Sequence, residues 1–176
     1  MKRFFIIFLL FISLPAIAQD ETIREVCGVE FGDTYEVARV KLKQYFENRK
    51  SASKYAAFSN NHFELAIPEL SNIQYKDEYF EGVAFENLYF SFDEDGRFYN
   101  ASFWIYCDNK NEAKERFEEV ADLLRLKYTL YSGSDDKGKF IGYGGGINYK
   151  KTEKCAFFLE IYDNTDIVLH ITANGF

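Results

Sequence analysis

The sequence has few of the residues that build rigid linkers and metal sites. Its 176 residues include two prolines, two histidines, three cysteines and one tryptophan. Because no proline-rich or low-complexity stretch marks a linker, we expect one domain, long enough to bury a core. Two histidines are too few for a histidine-based metal site unless both lie beside a carboxylate or a thiolate.

The motifs of common nucleotide-binding, hydrolytic and calcium sites are also missing. The glycine-rich stretch 138–149 lacks the Lys and Ser/Thr of a phosphate-binding loop, and residues 144–146 are predicted to form a bulged turn between strands. No Gly-x-Ser-x-Gly elbow and no HExxH helix occurs. The acidic groups at 93–95, 135–136 and 163–166 lack calcium-loop spacing and are predicted turns, where Asp and Asn bond nearby backbone groups. We therefore expect no cofactor, no metal and no catalytic residue.

The N-terminus has the pattern of a secretory signal peptide. Two basic residues precede an apolar run over 4–12, and small residues stand at Ala16 and Ala18. We expect residues 1–18 to be removed by cleavage after Ala18. Because the apolar run is shorter than the roughly 18 residues of a membrane span, we expect a secreted or periplasmic protein without membrane insertion, with one mature domain over 19–176.

The charge of the chain narrows the class of partner. The formal net charge is −7, and removing the basic residues of the leader makes it more negative. Nucleic acids and anionic membranes reward clustered Lys and Arg, so neither is an expected partner. Aromatic residues make up 19% of the chain, which is the unusual feature of its composition.

Two stretches have the pattern of a capped amphipathic helix. In FGDTYEVARVKLKQYF, residues 31–46, Asp33 stands three residues before Glu36, which is the spacing of a capping box. Asn109 and Glu112 repeat this spacing before the second helix. The stripes predicted to be buried are Tyr35, Ala38, Leu42, Tyr45 and Phe46 in the first helix, and Ala113, Phe117, Val120, Ala121 and Leu124 in the second.

Sequence rich in β-formers follows each helix. Strands are predicted near 73–80, 85–93, 97–107, 128–131, 139–143, 154–163 and 167–172. Because a helix followed by a meander occurs twice, we predict an α+β fold of two repeats, 27–107 and 108–176, with helices packed on one face of an antiparallel sheet. Residues 48–64 are polar without a clear period and are predicted to be a loose segment.

The alternation of apolar residues predicts the register of two hairpins. A two-residue turn at Asp95-Gly96 closes the first; its predicted pairs are Leu88 with Phe103, Phe90 with Ala101 and Phe92 with Tyr99. A three-residue loop at 164–166 closes the second; its predicted pairs are Ile161 with Leu169, Leu159 with Ile171 and Glu160 with His170. The last pair has the residue types of an acid/base dyad, but most such pairs are solvated ion pairs.

One face of the first hairpin is the candidate binding surface. Opposite the predicted core it carries Asn87, Tyr89, Ser91, Phe98, Asn100, Ser102, Trp104 and Tyr106. Rings bring contact area at low entropy cost, and amides and hydroxyls keep such a face soluble. The candidate binding residues are Asn87, Tyr89, Phe98, Asn100, Trp104 and Tyr106. The competing interpretation is that the loose segment or the second repeat covers this face as ordinary core.

The three cysteines, Cys27, Cys107 and Cys155, predict one disulfide and one spare thiol in an oxidising compartment. Three pairings are open, and we favour Cys107 with Cys155 because both have core-facing parity at strand ends. A nucleophilic cysteine would need a neighbouring base, and the sequence places none there.

Three stretches carry a resemblance to known proteins. GVEFGDTYEVARVKLKQYF, IQYKDEYFEGVAFENLYFSFDEDGRF and the helix ending LLRLKY resemble small exported proteins of unknown function from Gram-negative gut bacteria. In layout, the repeated helix and meander is similar to the β-lactamase-inhibitor-protein fold and to the small outer-membrane assembly lipoproteins related to it. The resemblance implies protein binding on an open sheet face, although the chain lacks the lipid-acceptor cysteine of those lipoproteins.

Three functions are therefore expected, in order of preference. The first is an exported, non-enzymatic binding protein that uses the aromatic sheet face to bind a protein or glycan partner. The second is a secreted hydrolase with an unrecognised site that includes Glu160 and His170. The third is a self-associating structural protein of the cell envelope, a homodimer in contact through the same face.

Overall fold

The structure, a computed structural model, describes residues 22–52, 73–148 and 150–176. For residues 46–52 and 73–79 it describes the backbone and not the side chains. The predicted signal peptide and most of the predicted loose segment therefore lie outside the described residues. No helix in the described ranges has the length and apolar character needed to cross a membrane.

The described chain folds into ten strands and two helices. In order they are β1 (Thr22–Ile23), β2 (Glu25–Val26), β3 (Val29–Glu30), α1 (Tyr35–Ala52), β4 (Ile73–Phe80), β5 (Val83–Phe92), β6 (Phe98–Tyr106), α2 (Lys110–Arg125), β7 (Leu130–Ser134), β8 (Phe140–Asn148), β9 (Cys155–Tyr162) and β10 (Asp166–Thr172). Eight strands form one sheet in the order β1-β8-β9-β10-β6-β5-β4, and β7 also pairs with β8. β1 runs parallel to β8 and the other pairs in this sheet are antiparallel.

The predicted fold of two helix-plus-meander repeats on an antiparallel sheet is wrong. The chain is mostly strand, and the strands form one curled, mixed sheet. The two groups of strands are joined because β10 pairs with β6 along its whole length, from Asp166 opposite Tyr106 to Thr172 opposite Asn100. The helices are not equivalent either, since α2 lies against β9 and β10 whereas α1 lies against β3.

β10 is buried along its core face and, at Val168, on the opposite face as well. Ile167, Leu169 and Ile171 are fully buried in the core, and Val168, which points to the opposite face, is fully buried as well. The run of three consecutive apolar residues at 167–169 is the sequence signal of this position. The core also holds the buried residues of both helices.

The helix α2 begins and packs as predicted. The Asn109 side chain caps it by accepting hydrogen bonds from the backbone N–H groups of Asn111 and Glu112, both at 3.1 Å. The Glu112 carboxylate accepts one in return from the N–H of Asp108. All five residues of the predicted stripe are buried, namely Ala113, Phe117, Val120, Ala121 and Leu124.

The predicted cap of α1 is wrong. Thr34 Oγ1, and not Asp33, accepts a hydrogen bond from an N–H group of the first turn, that of Val37. The Asp33 carboxylate instead accepts from the N–H of Glu30 and from Lys41 Nζ at 2.8 Å. This bond, with a second to the Glu30 carboxylate, raises the pKa of Lys41.

The helix α1 is longer than predicted and buries the expected stripe in part. It extends to Ala52, so the first residues of the predicted loose segment are helical. Ala38 and Leu42 are fully buried, and Tyr35 and Tyr45 are half-buried against the core. The side chain of Phe46, the last residue of that stripe, lies outside the described ones.

The first hairpin confirms two of its three predicted pairs. Leu88 lies opposite Phe103 and Phe90 opposite Ala101, but a bulge after Ser91 places Phe92 opposite Phe98. The bulge arises because the loop is longer than two residues: Gly96, at φ +69°, donates its N–H to the Asp93 carbonyl. As a result Phe98 turns into the core, where it is 1% exposed and stacks on Phe31.

The second hairpin is shifted by two residues from the prediction. Ile161 lies opposite Ile167, Leu159 opposite Leu169 and Phe157 opposite Ile171. The reason is the turn, since Asp163 and Asn164 both adopt positive φ, 45° and 68°, the conformation that favours a tight hairpin. A shift of two keeps each side chain on its predicted face. Glu160 and His170 are thus diagonal neighbours and not directly opposite.

The predicted glycine turn at 144–146 is also wrong, because these residues lie inside β8. A Cβ atom at Gly142 would lie 2.9 Å from the ring of Phe158, and one at Gly145 would lie 2.5 Å from the ring of Phe157. Glycine in a strand permits such close approach. The glycines of β8 therefore make room for the aromatic rings of β9.

The predicted Cys107–Cys155 disulfide does not form. No two of the three cysteines lie within disulfide distance. Cys107 follows Tyr106, which lies level with Tyr162 at the far end of β9, whereas Cys155 begins that strand. Seven residues of strand separate the two ends by about 23 Å, far beyond the ~7 Å between Cα atoms that a disulfide spans.

Candidate functional site on the outer sheet face

The candidate site lies on the outer face, which we define as the sheet surface opposite the core. Its side chains come from four adjacent strands and share one face because directly paired residues point the same way. They are Asn87, Tyr89 and Ser91 of β5, Asn100, Ser102, Trp104 and Tyr106 of β6, Asp166, Val168, His170 and Thr172 of β10, and Phe158, Glu160 and Tyr162 of β9.

Trp104 is the centre of a group of rings that we call the aromatic cluster. Its ring centroid lies 6.2 Å from that of Tyr89, 6.1 Å from that of Tyr106 and 5.6 Å from that of Tyr162. Asn87 Nδ2 donates a hydrogen bond of 3.0 Å to Tyr106 Oη. Tyr106 is 41% exposed and Tyr162 54% exposed. The cluster therefore presents apolar ring surface with polar groups at its edge.

The buried indole N–H of Trp104 lowers the stability of the fold. Nε1 is buried, and no described residue accepts a hydrogen bond from it. A buried donor without an acceptor costs about 1–3 kcal/mol. Violations of this kind concentrate at functional sites, where stability is not the only constraint.

Four polar side chains in contact with one another form a polar row beside the cluster. Asn100 Nδ2 donates to Ser102 Oγ at 3.0 Å, and Ser102 Oγ lies 2.9 Å from His170 Nδ1. His170 Nε2 lies 3.4 Å from Glu160 Oε1, and the side chains of these two residues are 26% and 30% exposed. The row crosses three strands, β6, β10 and β9, and each member holds its neighbour in place.

A second pair of rings lies on the other side of the polar row. Phe158 covers Gly133 and Gly142, where an added Cβ would lie 2.7 Å and 2.9 Å from its ring. Phe176 lies 5.6 Å from Phe158 and 6.3 Å from His170, measured between ring centroids. We call Phe158 and Phe176 the phenylalanine pair; together with the aromatic cluster it encloses the polar row.

The structure brings together five of the six candidate binding residues, namely Asn87, Tyr89, Asn100, Trp104 and Tyr106. Phe98 is the exception, because the bulge turns it into the core. Sequence reasoning left Tyr162 and Phe158 out of this surface. The apolar run at 167–169 is the sequence signal for their position, because it indicates that β10 is a central strand. β10 pairs with β6 on one side and with β9 on the other, which places β9 next to the first hairpin's side of the sheet.

The serine, histidine and glutamate of the polar row are the residue types of a nucleophilic triad, in which a histidine accepts the proton of the serine hydroxyl. Such a triad also needs N–H donors for the oxyanion. β6 and β10 each have hydrogen-bonded neighbours on both sides, so their backbone N–H groups are engaged in the sheet. The backbone N–H groups of these two strands are therefore not available to an oxyanion, and Asn100 Nδ2 is the amide donor nearest to Ser102 in the row.

Two clefts on the described surface border the outer face, one at Glu160 and the other at Tyr106. One of about 550 Å³ opens between α2 and the start of β8 and is lined by Lys114, Phe117, Glu118, Lys139, Phe140, Ile141, Glu160 and Ile161. The other, of about 280 Å³, includes Glu86, Tyr106, Cys107, Glu112 and Arg116. No group of three His, Cys, Asp or Glu residues in the described ranges is placed to hold a metal ion.

Cys107 lacks the environment of a nucleophile. Burial raises the pKa of its thiol, and the nearby carboxylates of Glu112 and Glu86 raise it further. A reactive cysteine has a lowered pKa, because the thiolate is the attacking species.

Comparison of the chain with protein-family models, with curated proteins and with solved structures finds no match.

Alkylation of the folded protein by iodoacetamide should show the raised pKa of Cys107. Because burial disfavours the thiolate, its labelling should reach half-maximal rate at a pH above the ordinary thiol value of about 8.5. Peptide mass spectrometry assigns the label, and denaturant-unfolded protein is the reference. A midpoint at or below that of the unfolded protein would contradict the environment described for Cys107.

Proposed function

We propose that the chain is an exported, non-enzymatic binding protein that uses the outer face to bind a protein or glycan partner. The aromatic cluster is the observation that supports this most. Its rings come from three strands of the sheet, close to the ends of β6 and β9, and two of them are more than 40% exposed. Exposed patches of this kind mark interaction sites more often than they serve stability, and Tyr and Trp are enriched where partners bind. Export rests on the leader sequence.

Truncation of the cluster should abolish partner binding. The mature protein serves as bait in the cell envelope of the native organism, with bound proteins identified by mass spectrometry and bound glycans by sugar analysis. Trp104→Ala should lose at least tenfold of the specific partner, because residues at the centre of an interface contribute more than 1.4 kcal/mol each. Leu126→Ala is the control, since Leu126 is 76% exposed at the end of α2, away from the outer face.

Two further variants keep this test independent of folding. Tyr106 and Tyr162 are half-exposed and each contacts Trp104, so their replacement by Ala should lower the free energy of unfolding by about 0.5–1.5 kcal/mol and leave the protein folded, which thermal unfolding checks. Both should weaken capture of the same partner. Unchanged capture by all three variants would overturn the proposal. A homodimer that Trp104→Ala dissociates in ultracentrifugation would favour the self-associating envelope protein.

The Ser102–His170–Glu160 chain supports a second candidate function, a secreted hydrolase. In such an enzyme Ser102 Oγ would attack the substrate carbonyl while its proton passes to His170 Nδ1, 2.9 Å away. Glu160 would hold the histidine from the other side. The missing backbone donors for an oxyanion place this candidate second.

A fluorophosphonate probe tests the hydrolase. Attack by an activated serine forms an Oγ–P bond, and fluoride leaves. The second candidate predicts stoichiometric labelling at Ser102, lost in Ser102→Ala and in His170→Phe but kept in Ser91→Ala, a serine on the same face. Absence of label at Ser102 after prolonged incubation would reject it.

A further inference from the structure

The outer face has a polar centre with rings on both sides. The polar row of Asn100, Ser102, His170 and Glu160 runs between the aromatic cluster and the phenylalanine pair. It crosses two strand spacings, about 10 Å. A ligand on this face would therefore meet hydrogen-bonding groups along its middle and ring surface along its edges.

We propose that the ligand of the outer face is an uncharged oligosaccharide bound along the polar row. This inference rests on the binding function proposed above and names its ligand class. Sugar rings have hydroxyl groups at their rims, which donate and accept hydrogen bonds, and C–H faces, which stack on aromatic rings. The polar row and the rings beside it match these two kinds of surface.

The polar row has the donors and acceptors that sugar hydroxyls need. An amide both donates and accepts, a hydroxyl does the same, and a carboxylate accepts at up to four sites. Because the hydrogen bonds along the row already fix Ser102 and His170, binding costs little further side-chain entropy. His170 and Glu160 are the accessible end of the row.

The charge of the site and of the chain favours a neutral ligand. The carboxylate of Glu160 lies 3.4 Å from His170 Nε2, and Asp166, directly opposite Tyr106, places a second carboxylate beside the aromatic cluster. The chain has a formal net charge of −7, and the three strands that carry the polar row, β6, β10 and β9, contain no Lys or Arg. Lys76 of β4 lies opposite Asn87, and two strands separate it from His170. An anionic glycan or phosphorylated ligand bound along the row would meet no cation on these three strands and would be repelled by the chain as a whole.

A protein partner fits the same surface less well. The centre of a protein interface is usually apolar and excludes water, with polar groups at the rim. Here the order is reversed, with the polar row in the middle. A protein partner that covered the row without hydrogen-bonding to it would leave buried polar groups unsatisfied. Each such group would weaken binding.

Trp104 makes a direct test possible because it is the only tryptophan in the chain. Its fluorescence is followed while defined neutral oligosaccharides (gluco-, manno-, xylo-, galacto- and N-acetylglucosamine series) are added, with oligogalacturonate as the anionic comparison. At least one neutral series should produce a saturable change, and the anionic series none. A printed array of mammalian and bacterial glycans extends the neutral set.

Variants assign the binding to the polar row. Glu160→Gln should weaken the responding sugar about tenfold by loss of a charge-assisted hydrogen bond, and Tyr162→Ala should weaken it by loss of stacking. Glu115→Gln, on the exposed side of α2, should leave affinity unchanged.

The inference and the proposed function can fail separately. If no neutral glycan changes Trp104 fluorescence or is retained on the array, the glycan inference is overturned. If in the same preparation a named protein is captured through Trp104, the binding function still holds with a protein as its partner. If binding occurs but is equal in Glu160→Gln and Glu115→Gln, the polar row is not the site.

Discussion

The pairing of β10 with β6 is the constraint on which the rest of the structure depends. One group of strands precedes α2 in the chain and a second group follows it. The pairing of β10 with β6 joins the two groups into a single sheet. Bringing together segments so far apart in sequence costs loop-closure entropy. The compensation is burial, since Ile167, Leu169 and Ile171 lie in the core and Val168 is buried on the opposite face. Val168 lies directly opposite Trp104.

The same pairing builds the candidate site. It sets Ser102 beside His170 and brings β9, with Glu160 and Tyr162, to within reach of Trp104. The polar row and the aromatic cluster therefore exist only when the two groups of strands form one sheet. Because core and outer face alternate along the same strands, the residues that stabilise the sheet also fix the geometry of the surface.

Features set by local sequence could be predicted, and features set by turns or by distant pairing could not. The cap and stripe of α2 and the strand Ile73–Phe80 depend on neighbouring residues, and the sequence predicts them. One extra loop residue reverses the face of Phe98. The turn at Asp163 and Asn164, both with positive φ, begins one residue earlier than predicted and so shifts the second hairpin by two. The contact of β10 with β6 has no local signature beyond an apolar run, so the polar row was seen only as an isolated pair.

Native-state hydrogen exchange tests most directly whether the two groups of strands form one sheet. If they do, the amides of β6 and β10 should exchange last, with the same opening free energy, which should equal that of global unfolding. Exchange is followed by NMR over a series of low denaturant concentrations. The account would be contradicted if β4, β5 and β6 opened together at a lower free energy while β8, β9 and β10 stayed protected, because the two groups would then be independent units.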